Sequence, residues 1–255
     1  IVHIPDCYSL HDSNTFWPVL YRFSFFSVIA SIAFSGTLHA GIFFKPTSIK
    51  LTSGFDFPVA RPDADGYYKS RSFREGGHLG EDWVTDSGSR HSLGQPVYNI
   101  GQGVVLLARD IHVAWGNVIV IRHAYLEKNK ICFADALYAH LDHIDVKEGA
   151  TVERGQKIGT IGNNHGMYPS HLHFEIHKNL NIGVNHTSFA RTLVNYWIPT
   201  EFIVKRRSLP GGERKTILPI THFDIPSPSS YAARKHRALH AKKTKKHSAS
   251  ALKNL

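Results

Sequence analysis

Three short stretches hold most of the residues in this chain whose types suit chemistry. HLGED places His78 and Asp82 four apart. YAHLDH puts His140 at the end of an apolar run, and HLHFEIH carries His171, His173 and His177 in alternation with Leu172, Phe174 and Ile176. A catalytic zinc ion takes three protein ligands from His and Asp or Glu and keeps one position for water. His78, Asp82 and His173 supply two imidazoles and one carboxylate, so the metal centre keeps a net positive charge. Such a centre lowers the pKa of a bound water and polarises a carbonyl. Hydrolysis also needs a base for the water and a donor for the oxyanion and leaving amine. His140 and His171 are the unassigned histidines that could line the same face.

Positioning these groups is the task of the surrounding elements. The period of two in HLHFEIH predicts a half-buried β-strand. Leu172, Phe174 and Ile176 face a core, and His171, His173, Glu175 and His177 share the other face. Gly80 argues against a helix between His78 and Asp82, so that pair belongs on a strand or turn. From about 52 to 204, apolar runs such as QPVYNI, GVVLLA, NVIVIRH and DALYAHL alternate with Gly, Asn and Asp. No long stretch has helical period. The pattern predicts an all-β domain, a sandwich or a barrel. VKEGATVERGQKIGTIG reads as a tight hairpin, with Gly149, Gly155, Gly159 and Gly162 supplying the unusual backbone angles.

The 255 residues suffice for one good-sized domain with extensions, and the formal charge of +10 suits anionic surroundings. The two cysteines, Cys7 and Cys132, exclude a thiolate metal cluster and read as unpaired thiols. Residues 1–22 carry no assignable signal. Residues 23–44, FSFFSVIASIAFSGTLHAGIFF, have the character of a signal peptide or membrane anchor, so export to the periplasm, envelope or exterior is expected. A domain then occupies 45–206. From 207 to 255 the chain turns Pro/Ser-rich and then Lys/Arg/His-rich, which predicts a disordered basic tail. That tail could tether the protein to anionic wall or membrane polymers. Nucleic-acid binding through it would leave the histidines unexplained. A lipoyl-type carrier is disfavoured, because Lys157 lies inside the glycine hairpin rather than at its tip.

The order HLGED, YAHL, GQKIG, HLHFEI resembles the lysostaphin/LytM family of zinc-dependent peptidoglycan endopeptidases over roughly residues 57–177. The resemblance implies an antiparallel β-sandwich or split-barrel domain with an open groove, acting as a monomer on peptidoglycan. It implies Zn²⁺ held by His78, Asp82 and His173. It implies His140 and His171 as the catalytic pair, assisting a zinc-activated water against peptide bonds of stem or cross-link peptides. A non-hydrolytic relative that binds wall or activates another hydrolase is the alternative; such forms typically lose the metal ligands, and this chain keeps them. One departure concerns the loop IGNNHGMYPSHLH, where His165, Met167 and Tyr168 replace small residues beside the groove, which bears on substrate preference. His165 reads as a plain loop residue before it reads as an extra ligand. His123 reads as structural, His143 as a surface residue and His177 as peripheral. Trp83 and Phe174 read as core. Glu81 has no HExxH helix to make it a base.

Overall fold

The computed structural model describes residues 7–9, 47–219 and 221. In chain order the strands are β1 (Cys7–Ser9), β2 (Ser48–Lys50), β3 (Tyr67–Arg71), β4 (Glu81–Thr85), β5 (Pro96–Tyr98), β6 (Gly103–Asp110) and β7 (Asn117–Glu127). They continue with β8 (Lys130–Ile144), β9 (Thr151–Val152), β10 (Lys157–Ile161), β11 (Leu172–His177), β12 (Tyr196–Trp197) and β13 (Lys215–Ile217). Two short helices, α1 (Ser89–Ser92) and α2 (Pro199–Lys205), lie among them. One sheet runs β3–β4–β11–β8–β7–β6–β9. β12 lies on β11, β1 and β10 pair with β8, and β5 pairs with β10; β13 and β2 pair separately. The pairings are antiparallel, and the all-β expectation holds.

The 15-residue strand β8 organises the sheet. One edge is taken by β7 along most of its length. The other edge is shared in succession: β1 opposite 130–132, β11 opposite 135–139, then β10 opposite 141–144. The sheet splits where β11 gives way to β10, and His140 sits at the split. Both faces of β7 are buried. Ile119, Ile121 and Tyr125 pack with Phe55, Trp83, Leu172 and Phe174, while Val118, Val120 and Leu126 pack on the opposite side with Leu137 and Leu180. Burial on both faces explains why NVIVIRH is a continuous apolar run.

Several expectations change. The cysteines are not free: Cys7 lies opposite Cys132 across β1 and β8, and the two form a disulfide. Their separation in sequence concealed a cross-strand pair. The glycine-rich 146–162 stretch is not a hairpin, because β9 pairs with β6 and β10 pairs with β5 and β8. Gly149 and Gly155 do take left-handed angles, but Gly159 and Gly162 are needed for close approach to the backbone of β8. Strand β11 is buried on both faces rather than one. The boundary at 207 also moves. Arg207 is bound to Asp56 and Asp63, and β13 pairs with β2. The buried Arg122 makes a bidentate pair with Asp135 at 2.7 Å and donates to the carbonyls of Leu180 and Pro219 and to Thr221 Oγ1. The chain from 207 to 219 is therefore fastened to the domain by strand pairing and a desolvated guanidinium. Residues 23–44 and those beyond 221 lie outside the described residues. Among the described residues, no helix is long and apolar enough to cross a membrane.

Candidate metal centre

Strand register brings the first two groups together. β11 lies between β4 and β8, with His173 directly opposite Asp82 on one side and Ala139 on the other. Alternation on β4 turns Asp82 one way and the core residue Trp83 the other. Glu81 likewise faces away from Asp82, bound to Thr200 and Lys69. Leu172, Phe174 and Ile176 anchor β11 in the core as expected. His78 reaches the pair from the loop before β4. A side chain at Gly80 would collide with the carbonyl of Phe174 at 2.5 Å, so only glycine lets this loop lie against β11.

The three donors form a tight triangle. His78 Nε2 and His173 Nδ1 lie 2.9 and 2.8 Å from Asp82 Oδ1, and 3.0 Å from each other. Their remaining ring nitrogens are engaged: His78 Nδ1 donates to the Ser72 carbonyl at 3.0 Å, and His173 Nε2 donates to Glu175 Oε1 at 2.8 Å. Neutral rings held in these tautomers present lone pair to lone pair, a contact that a proton or a cation relieves. Two imidazoles and a carboxylate, with outer partners fixing each ring, are the donor set and support that zinc takes. The residues present therefore fit the metal.

The electrostatics agree. Burial alone would push Asp82 up, but hydrogen bonds from His173 and His78 win and hold it well below the usual carboxylate range. Burial would push His173 down, yet hydrogen bonds to Asp82 and Glu175 raise it to about 9 in the metal-free protein. Glu175 is fully buried, and burial would raise it. His186, with hydrogen bonds from His173, His177 and His186, keeps it ionised. His177 is thus not peripheral: its Nε2 donates to Glu175 Oε2 at 2.7 Å beneath the site, beside His186 at 3.0 Å.

His140 and His171 complete a cleft of about 280 Å³ that also includes Trp115 and Tyr168. His140 occupies the bulge at the sheet split with φ +62°, a left-handed angle uncommon outside glycine. Its amide and its Nδ1 both donate to the Trp115 carbonyl at 3.0 Å, leaving Nε2 as an acceptor. Burial, aided by His173 and His171, holds its pKa down at about 3, so the ring is neutral. His171 Nδ1 donates to the Pro169 carbonyl at 2.7 Å, and its Nε2 lies 3.7 Å from Asp82 Oδ1. The rings of His140 and His171 are 4.8 Å apart. All five anticipated residues therefore line one cleft.

The model of peptidase family M23 matches residues 77–185. Lipoprotein NlpD of Yersinia enterocolitica is 37% identical over 87 residues, which are 33% of this chain and 79% of that protein. This chain belongs to peptidase family M23. Murein hydrolase activator NlpD of Escherichia coli is 36% identical over 104 residues, 40% of this chain and 23% of its own length. Peptidoglycan DD-endopeptidase ShyB of Vibrio cholerae is 39% identical over 99 residues, 39% of this chain and 20% of ShyB. The match thus spans about a fifth of the endopeptidase it resembles. A solved zinc-containing peptidase from Vibrio cholerae has 33% identity and a TM-score of 0.36, covering 49% of this chain and 37% of its own.

Sequence reasoning missed three contributors. Trp115 fixes His140 through its carbonyl and lays its ring 5.8 Å from that of His173. Glu175 orients His173, which its place on the polar face of β11 could have signalled. His186, far beyond HLHFEIH, had no local signal. His123 is structural as read, buried with Nδ1 donating to the Gln102 carbonyl. His143 is a surface residue beside Asp142.

Proposed function

We propose that this M23 domain is a zinc-dependent endopeptidase that hydrolyses peptide bonds in peptidoglycan stem or cross-link peptides. The observation that carries the reading is the pairing of a converged His78–Asp82–His173 donor set with two further histidines whose Nδ1 atoms are locked on backbone carbonyls. Zinc, when bound, supplies Lewis acidity and lowers the pKa of a water. The remaining roles fall to the chain. His140 and His171, whose Nδ1 atoms are held by backbone carbonyls, keep Nε2 for the cleft and between them take the proton of the attacking water and serve the oxyanion and the leaving amine. Tyr168 and Trp115 wall the cleft and orient the peptide. Export through 23–44, a basic tail beyond 221 that meets anionic polymers, and a monomeric state belong to the same reading.

Likeness to NlpD, whose Escherichia coli form is named an activator, supports a second reading in which the domain binds wall and stimulates another hydrolase. Mass spectrometry of fragments released from purified peptidoglycan separates the two. A peptidase releases cut cross-links in a chelator-sensitive way. His78→Ala and Asp82→Ala should lose the zinc of this centre and the activity, whereas His171→Ala should keep that zinc and lose about 10²–10⁴-fold in rate. Zinc-loaded protein that releases nothing, yet speeds a separate murein hydrolase, would replace the first reading with the second.

A further inference from the structure

Outside the cleft, one cluster of metal-ligating side chains has no role in the proposed reaction. We propose that Asp110, His112 and His165 form a second binding site for a zinc-like divalent cation, clasping the two loops that flank the cleft. Asp110 ends β6; His112 stands in the 111–116 loop, and His165 in the 162–171 loop, 55 residues from Asp110 in sequence. His112 Nδ1 and His165 Nε2 each lie 2.9 Å from the same oxygen, Asp110 Oδ2. The other oxygen, Oδ1, accepts the His112 amide at 2.6 Å, which sets the carboxylate and leaves Oδ2 for the cluster. The three donor atoms lie within 4.8 Å of one another.

Backbone and donor chemistry support a built site. His112, Val113, Asn164 and His165 all have φ between +51° and +59°, a left-handed region that histidine and asparagine enter more readily than most residues but in which β-branched Val113 is a genuine outlier. Hydrogen bonds among exposed histidines and one carboxylate are a weak offset for the strain at Val113. The loops are already joined beside the cluster, where Asn164 Nδ2 donates to the Val113 carbonyl at 2.9 Å. Two imidazoles and one carboxylate favour zinc or a neighbouring transition metal over calcium or magnesium, which prefer oxygen ligands. The His112 and His165 side chains are 60% and 57% exposed, so a cation there keeps open positions for water or a carboxylate. The clasp bears on the cleft, because the first loop carries Trp115, whose carbonyl holds His140, and the second carries Tyr168, whose ring is 5.0 Å from that of His140.

The test is zinc binding by the full chain, read by equilibrium dialysis and metal analysis, and so does not depend on peptidase activity. His165→Asn suits the left-handed backbone, since asparagine tolerates that conformation. Relative to the unsubstituted chain, His165→Asn and Asp110→Asn should each bind one equivalent fewer. Asp82→Ala should retain the second equivalent, and Asp82→Ala with His165→Asn should lose it. Histidines elsewhere bind equally in all forms and cancel in the difference. In Asp82→Ala, the ring nitrogen signals of His112 and His165 should shift on zinc addition. Equal zinc content in the chain and its His165→Asn form, or ring signals that do not move, would overturn the proposal.

Discussion

Metal binding at the His78–Asp82–His173 centre should expel a proton, and the structure sets its size. In the metal-free protein His173 lies between Asp82 and Glu175, at 2.8 Å from each, and titrates at about 9. As a ligand it must be neutral at Nδ1. At pH 7, about two units below that pKa, nearly every chain must lose one proton from this ring per zinc bound, and apparent affinity is weakened about 100-fold by the competition. Affinity should therefore climb about tenfold per pH unit from 7 and level off above 9. Calorimetry in buffers of different ionisation enthalpy counts the protons, and competition with a chelator gives the affinity. The stability consequence has a definite sign. His173 is raised, so its contribution to the metal-free fold is complete below its unfolded pKa near 6.5 and disappears as pH rises through 9. The metal-free melting temperature should fall across that window while the increment added by zinc grows. An affinity that stays flat between pH 7 and 9, with no proton released at pH 7, would refute the placement of His173 between two carboxylates.

Further perturbations test the supports of the site. Glu175→Gln removes the charge that orients His173 and should cost about 10–100-fold in zinc affinity, measured by chelator competition. Gly80→Ala drives a methyl into the Phe174 carbonyl and should displace His78, lowering zinc affinity while the far-ultraviolet circular dichroism stays that of a β-protein. Asp135→Ala leaves the Arg122 guanidinium buried and unpaired, and should cost about 3–5 kcal/mol in urea unfolding. The same change should open the 207–219 segment to protease, since Arg122 also holds the Pro219 carbonyl.

Local sequence pattern was enough to name the side chains that converge in the cleft and the class of fold. Alternation in HLHFEIH is a local property, and it placed His173 on the face opposite Leu172 and Phe174, as the core packing bears out. Short apolar runs punctuated by glycine and asparagine specified strands for the same reason: side-chain period and turn residues act over a few positions. Tertiary structure decided what depends on partners distant in the chain. Nothing in GQKIGTIG says that β10 pairs with β5 and β8 rather than with β9. Nothing near Cys7 says that Cys132 lies across from it. Exposure also belongs to the assembled sheet, so His177 could be read as peripheral although Glu175, His186 and Tyr196 enclose it. His140 is the clearest case. YAHL names the residue, but its left-handed bulge, its bond to the Trp115 carbonyl and its low pKa arise only where β11 yields to β10 along one edge of β8. Pairing and burial are sums over long-range contacts, and no local pattern contains them.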